Sequence, residues 1–174
     1  MIYTCTLSTP LGDITAAAEG EALTGLWFIG QKYYPAQTEA WVTEPEQRVF
    51  KSLQTWLDHY FSEREGSAPF PELAPKGTDF QKAVWEILLE IPRGRVTTYG
   101  EIARKLAASR GLSSMSAQAV GGAVGHNPIS ILIPCHRVVG AGGSLTGYAG
   151  GLEKKQALLR LEQADLNCRK LFEA

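Results

Sequence analysis

The sequence has few of the residues that staple a fold together. Three cysteines, Cys5, Cys135 and Cys168, stand far apart in 174 residues, and no CxxC or HxxxH pair occurs. That excludes the disulfide scaffold of small secreted domains and gives no zinc-ligand spacing. Cys5 alone cannot supply a metal site, so no metal and no cofactor are expected. No apolar run approaches the roughly 20 residues of a membrane-spanning helix. The opening stretch MIYTCTLSTPLGDIT lacks the basic-then-apolar pattern of a secretory signal. A cytoplasmic location (nuclear in a eukaryote), without a membrane partner, is expected. Positive charge is scarce early in the chain. Residues 1–75 carry four basic against ten acidic side chains, and residues 76–174 carry thirteen against eight. The first half is a poor partner for phosphates, and the second could hold them weakly.

What is present suits a packed domain. Hydrophobic residues make up 44% and charged residues 20% of the chain, ordinary values that allow a core without staples. The segment 63–79, EREGSAPFPELAPKGTD, reads as an exposed linker. It suggests an N-terminal domain over 1–75 and a C-terminal one over 76–174. Before it, residues 2–7, 13–18 and 22–28 alternate as a short antiparallel meander, and residues 47–61 carry a helical apolar stripe. His59 on that stripe reads as a surface histidine. After it, Thr78-x-x-Gln81 and Thr98-x-x-Glu101 are capping boxes that open two helices. The small-residue segment 116–124 predicts a third. The run ISILIPCHRVV reads as β-rich, interrupted by Pro134. GAGGSLTGYAGG reads as a hairpin or wing, and residues 152–163 as a closing helix. Two helices, a strand and a glycine-rich turn suggest a winged helix-turn-helix. In the candidate recognition helix only Gln118 could read a base edge. Its neighbours Ala119 and Gly121 suit close, sequence-tolerant docking instead.

The chemistry gathers at Pro134-Cys135-His136-Arg137. An unperturbed thiol is only roughly 3% thiolate at pH 7. His136 and Arg137 could raise the local positive potential, directly or through a water. Glu162 could hold His136 in the useful tautomer, completing a nucleophile–base–orienter set. On spacing alone a buried structural cysteine remains equally open. Asn127, just before Pro128, could cap its helix or tie the helix end to a nearby loop. Tyr148 stands among Gly147, Ala149, Gly150 and Gly151, where backbone could approach a flat ligand and the ring could stack on a base. A packing aromatic in a turn is the other reading. Pro134 and Val138, flanking the motif, are candidate pocket residues. Tyr99 opens a helix of the basic half, and Arg110 lies in the loop that follows.

The block GGAVGHNPISILIPCHRVVGAGGSLTGYAGG, with FQKAVWEILLEIPRGRVTTYGEIA and LEKKQALLRLE, resembles the O6-alkylguanine-DNA alkyltransferases, also called methylated-DNA–protein-cysteine methyltransferases. The resemblance is specific over residues 78–163 and only general before them. It implies an α+β protein with a small N-terminal α/β (ribonuclease H-like) domain and a winged helix-turn-helix C-terminal domain. It implies Cys135 as alkyl acceptor, His136 as its activator through a bound water, and Glu162 as the carboxylate behind that histidine. Asn127 matches the hinge residue. Tyr99 matches a tyrosine that helps rotate the damaged nucleotide and gives a proton toward guanine. Tyr148, Ala149 and Gly150 match the lesion pocket. The chain departs from the family in two respects: it lacks the ligands for the N-terminal zinc that some relatives bind, and Gln118 stands where relatives often carry an intercalating arginine. Arg110, in a lengthened loop, is the candidate to compensate.

The implied reaction is direct-reversal repair. An alkyl group moves from O6-alkylguanine, and by extension O4-alkylthymine, in double-stranded DNA onto Cys135 after the nucleotide flips out. The product thioether has no means of cleavage here, so one turnover per chain is expected. A monomer without an obligate protein partner is expected. A winged-helix regulator would share the basic half but leave PCHRV without a task. A Cys-His hydrolase would turn over repeatedly and ignore DNA.

Overall fold

The computed structural model describes residues 1–62 and 68–167. Cys168, and residues 63–67 of the expected linker, lie outside the described residues. The chain divides into two compact units, residues 1–76 with 128–130, and residues 77–127 with those from 131 onward.

The first unit is a four-stranded sheet and a helix. Strands β1 (Ile2–Thr9), β2 (Gly12–Glu19) and β3 (Ala22–Phe28) form the expected antiparallel meander. A strand that the sequence reading did not find, β4 (Val42–Thr43), adds in parallel beside β1, giving the order β3-β2-β1-β4. Two residues are too few to show a period, so only long-range pairing reveals it. Ala16, Ala17 and Ala18 of β2 are fully buried, and helix α1 (Arg48–Phe61) lies against β1 and β2. Of its apolar stripe, Val49, Phe50, Leu53, Trp56, Leu57 and Tyr60 are buried as the spacing predicts, while Phe61 at its end is only half-buried. Gly25 on β3 is required by its neighbour: a Cβ there would sit 1.8 Å from the Trp27 ring.

The edge strand β3 is almost wholly buried, because chain on either side covers it. The Leu23 amide donates to the Glu72 carbonyl and the Ala74 amide to the Leu23 carbonyl. Ile129 bridges Leu26 in the same parallel sense. An unpaired edge is an aggregation liability, and these contacts remove it. Residues 72–74 are therefore not free linker as expected. They are the sheet's border.

The second unit is helical. Helix α2 (Asp79–Leu88) opens with both bonds of the capping box: Gln81 N–H donates to Thr78 Oγ1, and Thr78 N–H to Gln81 Oε1. Helix α3 (Tyr99–Ser109) forms only half of its expected box. Thr98 Oγ1 accepts from the Glu101 amide, while the Glu101 carboxylate pairs with Arg104. Helix α4 (Ala117–Gly125), capped by Ser116, packs on α2 and α3. The buried Trp85 indole of α2 donates to the Ala123 carbonyl at 2.9 Å. A parallel pair, β5 (Thr97–Thr98) with β6 (Val138–Val139), joins the start of α3 to the chain just after Cys135. Helix α5 (Leu152–Leu161) ends one residue before Glu162, which is its C-cap.

Two sequence expectations fail here. The apolar run 129–139 is not a strand but a turn followed by a 3-10 turn, Cys135–Arg137, with only β6 extended. The glycine-rich segment forms no hairpin among the described residues; it is irregular, with a 3-10 turn at Ala141–Gly143. Both failures have local causes at the site.

Candidate active site

The chain before Cys135 is folded back on itself by side chains that β-propensity ignores. Asn127 Nδ2 donates to the Ile133 carbonyl at 2.8 Å, in buried surroundings. Ile131 takes φ 71°, the left-handed region that a β-branched residue seldom enters. Pro134 sits at φ −81°, ψ 64°, and the Cys135 amide closes onto the Ile133 carbonyl at 2.7 Å. That is an inverse γ-turn, which proline favours because it fixes φ and has no amide to lose. The β-rich run is thus broken at the point where the thiol must be presented.

Cys135 is 7% exposed and His136 is fully buried. Burial pushes the Cys135 thiol above its ordinary pKa, partly offset by a hydrogen bond from Asn127 and by the charge of Lys155. The expected lowering by His136 and Arg137 does not occur. The positive charge of Arg137 is spent elsewhere: its Nε donates to Glu162 Oε1 at 2.8 Å, its Nη2 to Glu162 Oε2 at 2.9 Å, and its Nη1 to the Ile91 carbonyl at 2.6 Å. In the resting chain Cys135 is a neutral thiol.

His136 Nε2 lies 2.7 Å from Glu162 Oε2. Burial lowers the histidine's pKa despite that carboxylate, so the ring is neutral at pH 7. Burial opposes the Glu162 charge as well, but His136 and the bidentate Arg137 together hold its carboxyl below the usual range. An ionised carboxylate can only accept, so Nε2 carries the histidine proton and Nδ1 presents a lone pair. Nδ1 is buried and has no hydrogen-bond partner among the described residues. The sequence reading placed Cys135, His136 and Glu162 as one set. It did not foresee that Arg137 serves the carboxylate rather than the thiol.

The other sequence candidates fall on two sides of this centre. Tyr99 Oη donates to the Thr146 carbonyl at 3.1 Å, and burial and the nearby Cys135 raise its pKa, so the hydroxyl keeps its proton. Tyr148, Ala149 and Gly150 are partly buried, and Pro134 and Val138 are buried. Gln118 and Ala119 are exposed on α4, and Gly121 is half-buried, where a Cβ would come 3.7 Å from the Tyr99 ring. Arg110 is exposed with its guanidinium 5.7 Å from the Phe80 ring centre, a cation–π placement. A cleft of about 610 Å³ opens between the starts of α3 and α4, bordered by Tyr99, Arg104, Ala117 and Ala141. Asn127→Ala is expected to remove one of the two hydrogen bonds that the buried Ile133 carbonyl accepts, at a cost of about 0.5–1.5 kcal/mol in urea denaturation. Iodoacetamide alkylation of Cys135 in that variant should also slow, because a bond that favours the thiolate is lost.

A buried thiol, a neutral histidine next to it in sequence and a carboxylate fixing that histidine are the parts a cysteine-nucleophile protein needs, here carried on a helical unit. The profile described as "6-O-methylguanine DNA methyltransferase, DNA binding domain" matches residues 79–164, and that described as "6-O-methylguanine DNA methyltransferase, ribonuclease-like domain" matches residues 1–71. The chain belongs to the 6-O-methylguanine DNA methyltransferase family. The methylated-DNA–protein-cysteine methyltransferase of Mycobacterium bovis is 44% identical over 164 residues, covering 94% of each chain. Its counterpart in Methanosarcina acetivorans is 41% identical, covering 92% of this chain and 98% of its own. The crystal structure of Mycobacterium tuberculosis OGT in complex with DNA is similar at a TM-score of 0.81 and 42% identity, covering 92% of each chain. None of the helices among the described residues is long and apolar enough to cross a membrane.

Proposed function

We propose that this chain repairs O6-alkylguanine in double-stranded DNA by moving the alkyl group irreversibly onto Cys135, acting as a monomer in the cytoplasm or nucleus. The observation that carries this reading is the lone pair of His136 Nδ1, buried and without a hydrogen-bond partner among the described residues, on the residue that follows Cys135, while Glu162 occupies the opposite nitrogen. Burial makes the resting thiol inert, so activation is a proton transfer rather than a standing thiolate. The Sγ–H bond of Cys135 breaks and an N–H bond forms at His136 Nδ1, directly or through a bound water. The thiolate attacks the alkyl carbon in line; the S–C bond forms as the C–O6 bond breaks. Guanine leaves with the electron pair and takes a proton from Tyr99. His136 then loses its extra proton to solvent, and Tyr99 regains one.

The alkyl carbon lies inside the duplex stack, so the nucleotide must swing out, costing a few kcal/mol. The exposed face of α4, with Gln118 and Ala119, is the docking surface in this reading, and Tyr148, Ala149 and Gly150 with Pro134 and Val138 receive the base. Arg110 contacts phosphate once it leaves Phe80. O4-alkylthymine presents a similar alkyl–oxygen bond and is accepted by the same chemistry. Gln118→Arg is expected to speed repair severalfold where flipping limits the rate, because arginine fills more of the vacated stack and adds charge. An unchanged or lower single-turnover rate would remove that role for position 118.

The function is tested with a duplex carrying O6-methylguanine. The amount of guanine restored should plateau at one per protein molecule and not rise with time. Continued turnover would instead indicate a hydrolase, and tight binding without restoration would indicate a regulator.

A further inference from the structure

Lys155 of α5 is fully buried, yet no carboxylate lies within ion-pair distance of it among the described residues. Its three ammonium protons go to three backbone carbonyls, Val138 at 2.6 Å, Thr146 at 2.9 Å and Gly147 at 3.0 Å. A buried charge without a counter-charge is costly, and a neutral side chain of similar volume would be cheaper if only packing mattered. Its three acceptors lie on the two stretches of chain that frame the acceptor thiol. Val138 follows the Cys135–Arg137 turn directly, and Thr146 and Gly147 precede Tyr148. Thr146 also accepts from Tyr99. When Tyr99 turns toward a leaving base, Lys155 still holds that carbonyl.

We propose that Lys155 is a positioning residue for alkyl transfer, its ammonium fixing the Val138, Thr146 and Gly147 carbonyls around the site and standing as the counter-charge to the Cys135 thiolate. The inference rests on Cys135 being the alkyl acceptor. No proton leaves Lys155 during the reaction. The positive charge is already in place when the Cys135 proton passes to His136, so the thiolate forms in a prepared field. The titratable groups that face Lys155 are Cys135 and His136 on the 3-10 turn, and Tyr99 of α3 through the shared carbonyl. Burial lowers the lysine's pKa to about 8, and a charge on Cys135, once formed, works against that lowering. Above that pH the clamp and the field are lost together.

The unaltered protein supplies the first test. With 15N-labelled lysine, the Lys155 Nζ signal is titrated and its midpoint compared with the pH dependence of single-turnover methyl transfer from an O6-methylguanine duplex. Lys155 acts through its charge, so transfer should fall by about tenfold for each pH unit above the Nζ midpoint. Transfer that continues undiminished through that midpoint would overturn this proposal alone. A chain that never acquires the methyl group would overturn the alkyl-acceptor reading instead. The second test is Lys155→Met, with iodoacetamide alkylation of Cys135 followed on its own peptide against pH. The midpoint should move upward and the rate at pH 7 fall by about tenfold, with Lys155→Arg recovering part of it. A purely structural lysine would lower the melting temperature and leave the alkylation midpoint in place. Should the Met variant fail to fold, the Nζ titration decides the matter by itself.

Discussion

Cys135→Ser is expected to take up no methyl group from O6-methylguanine DNA while binding the duplex as the parent does. The reason is the order of events at the site. Nothing in the resting chain holds a thiolate; burial keeps the proton on sulfur, and Asn127 and Lys155 only moderate that. The histidine can take a thiol proton because a thiol is a moderate acid. A serine hydroxyl is far weaker, so the same neutral imidazole leaves it protonated, and transfer should fall by on the order of 10⁴-fold or more. The oxygen is smaller than sulfur and still reaches Asn127, so the fold should survive, with a change in urea stability of about 1 kcal/mol. Single-turnover transfer and a salt-dependent gel-shift titration measure the two halves of the expectation. Methyl uptake by the serine variant would remove Cys135 from its role. Binding by either chain should weaken as salt rises, since phosphate contacts release counterions.

Glu162→Gln has the other large expected effect, and it acts on stability and reaction together. Glu162 accepts from Arg137 through both oxygens and from His136, with its side chain wholly buried. Glutamine leaves the Arg137 guanidinium buried without its counter-charge, at a cost of about 3–5 kcal/mol. It also no longer dictates which nitrogen of His136 carries the proton. Transfer should therefore drop by about 10²–10⁴-fold, the usual worth of a positioned general base. The pH dependence has a definite sign. The folded pKa of Glu162 lies below its unfolded value of about 4.3, so its contribution is complete above that value and fades as pH falls toward the folded one. The folded pKa of His136 is also lowered, so its neutral form contributes fully above about pH 6.5 and loses that contribution on acidification. The parent should weaken in two stages as pH drops, the histidine stage first. The stability gap between parent and Glu162→Gln should be widest near neutrality and narrow in the carboxylate stage. A gap that stays constant between pH 7 and pH 3 would show that Glu162 is not held ionised by its neighbours.

The elements legible in the sequence were those with a repeated local signal. The alternation of β1 to β3, the six-residue apolar stripe of α1 and the Thr78–Gln81 box each repeat or close over a few residues, and the structure contains all of them. The stretch 129–139 was misread because its residue types favour a strand. A distant side chain, Asn127, and the proline turn at Pro134 override that preference. The glycine-rich segment was misread for the opposite reason: its carbonyls are claimed by Lys155 and Tyr99 rather than by a second strand. At the site, the types and order of Cys135, His136 and Glu162 were legible. The direction in which Arg137 points was not, because adjacency says nothing about which face a side chain takes. Lys155 passed unnoticed as one of two adjacent lysines on a closing helix. Only full burial sets it apart from its half-buried neighbour Lys154.

The most direct measurement of the central claim is the mass of the intact chain after exposure to an O6-methylguanine duplex, followed by peptide mapping. The account predicts a gain of a single methyl group, located on the peptide that holds Cys135, with Cys5 and Cys168 unmodified and the duplex carrying guanine. A chain of unchanged mass beside a repaired duplex, or a methyl group found on another residue, would contradict it.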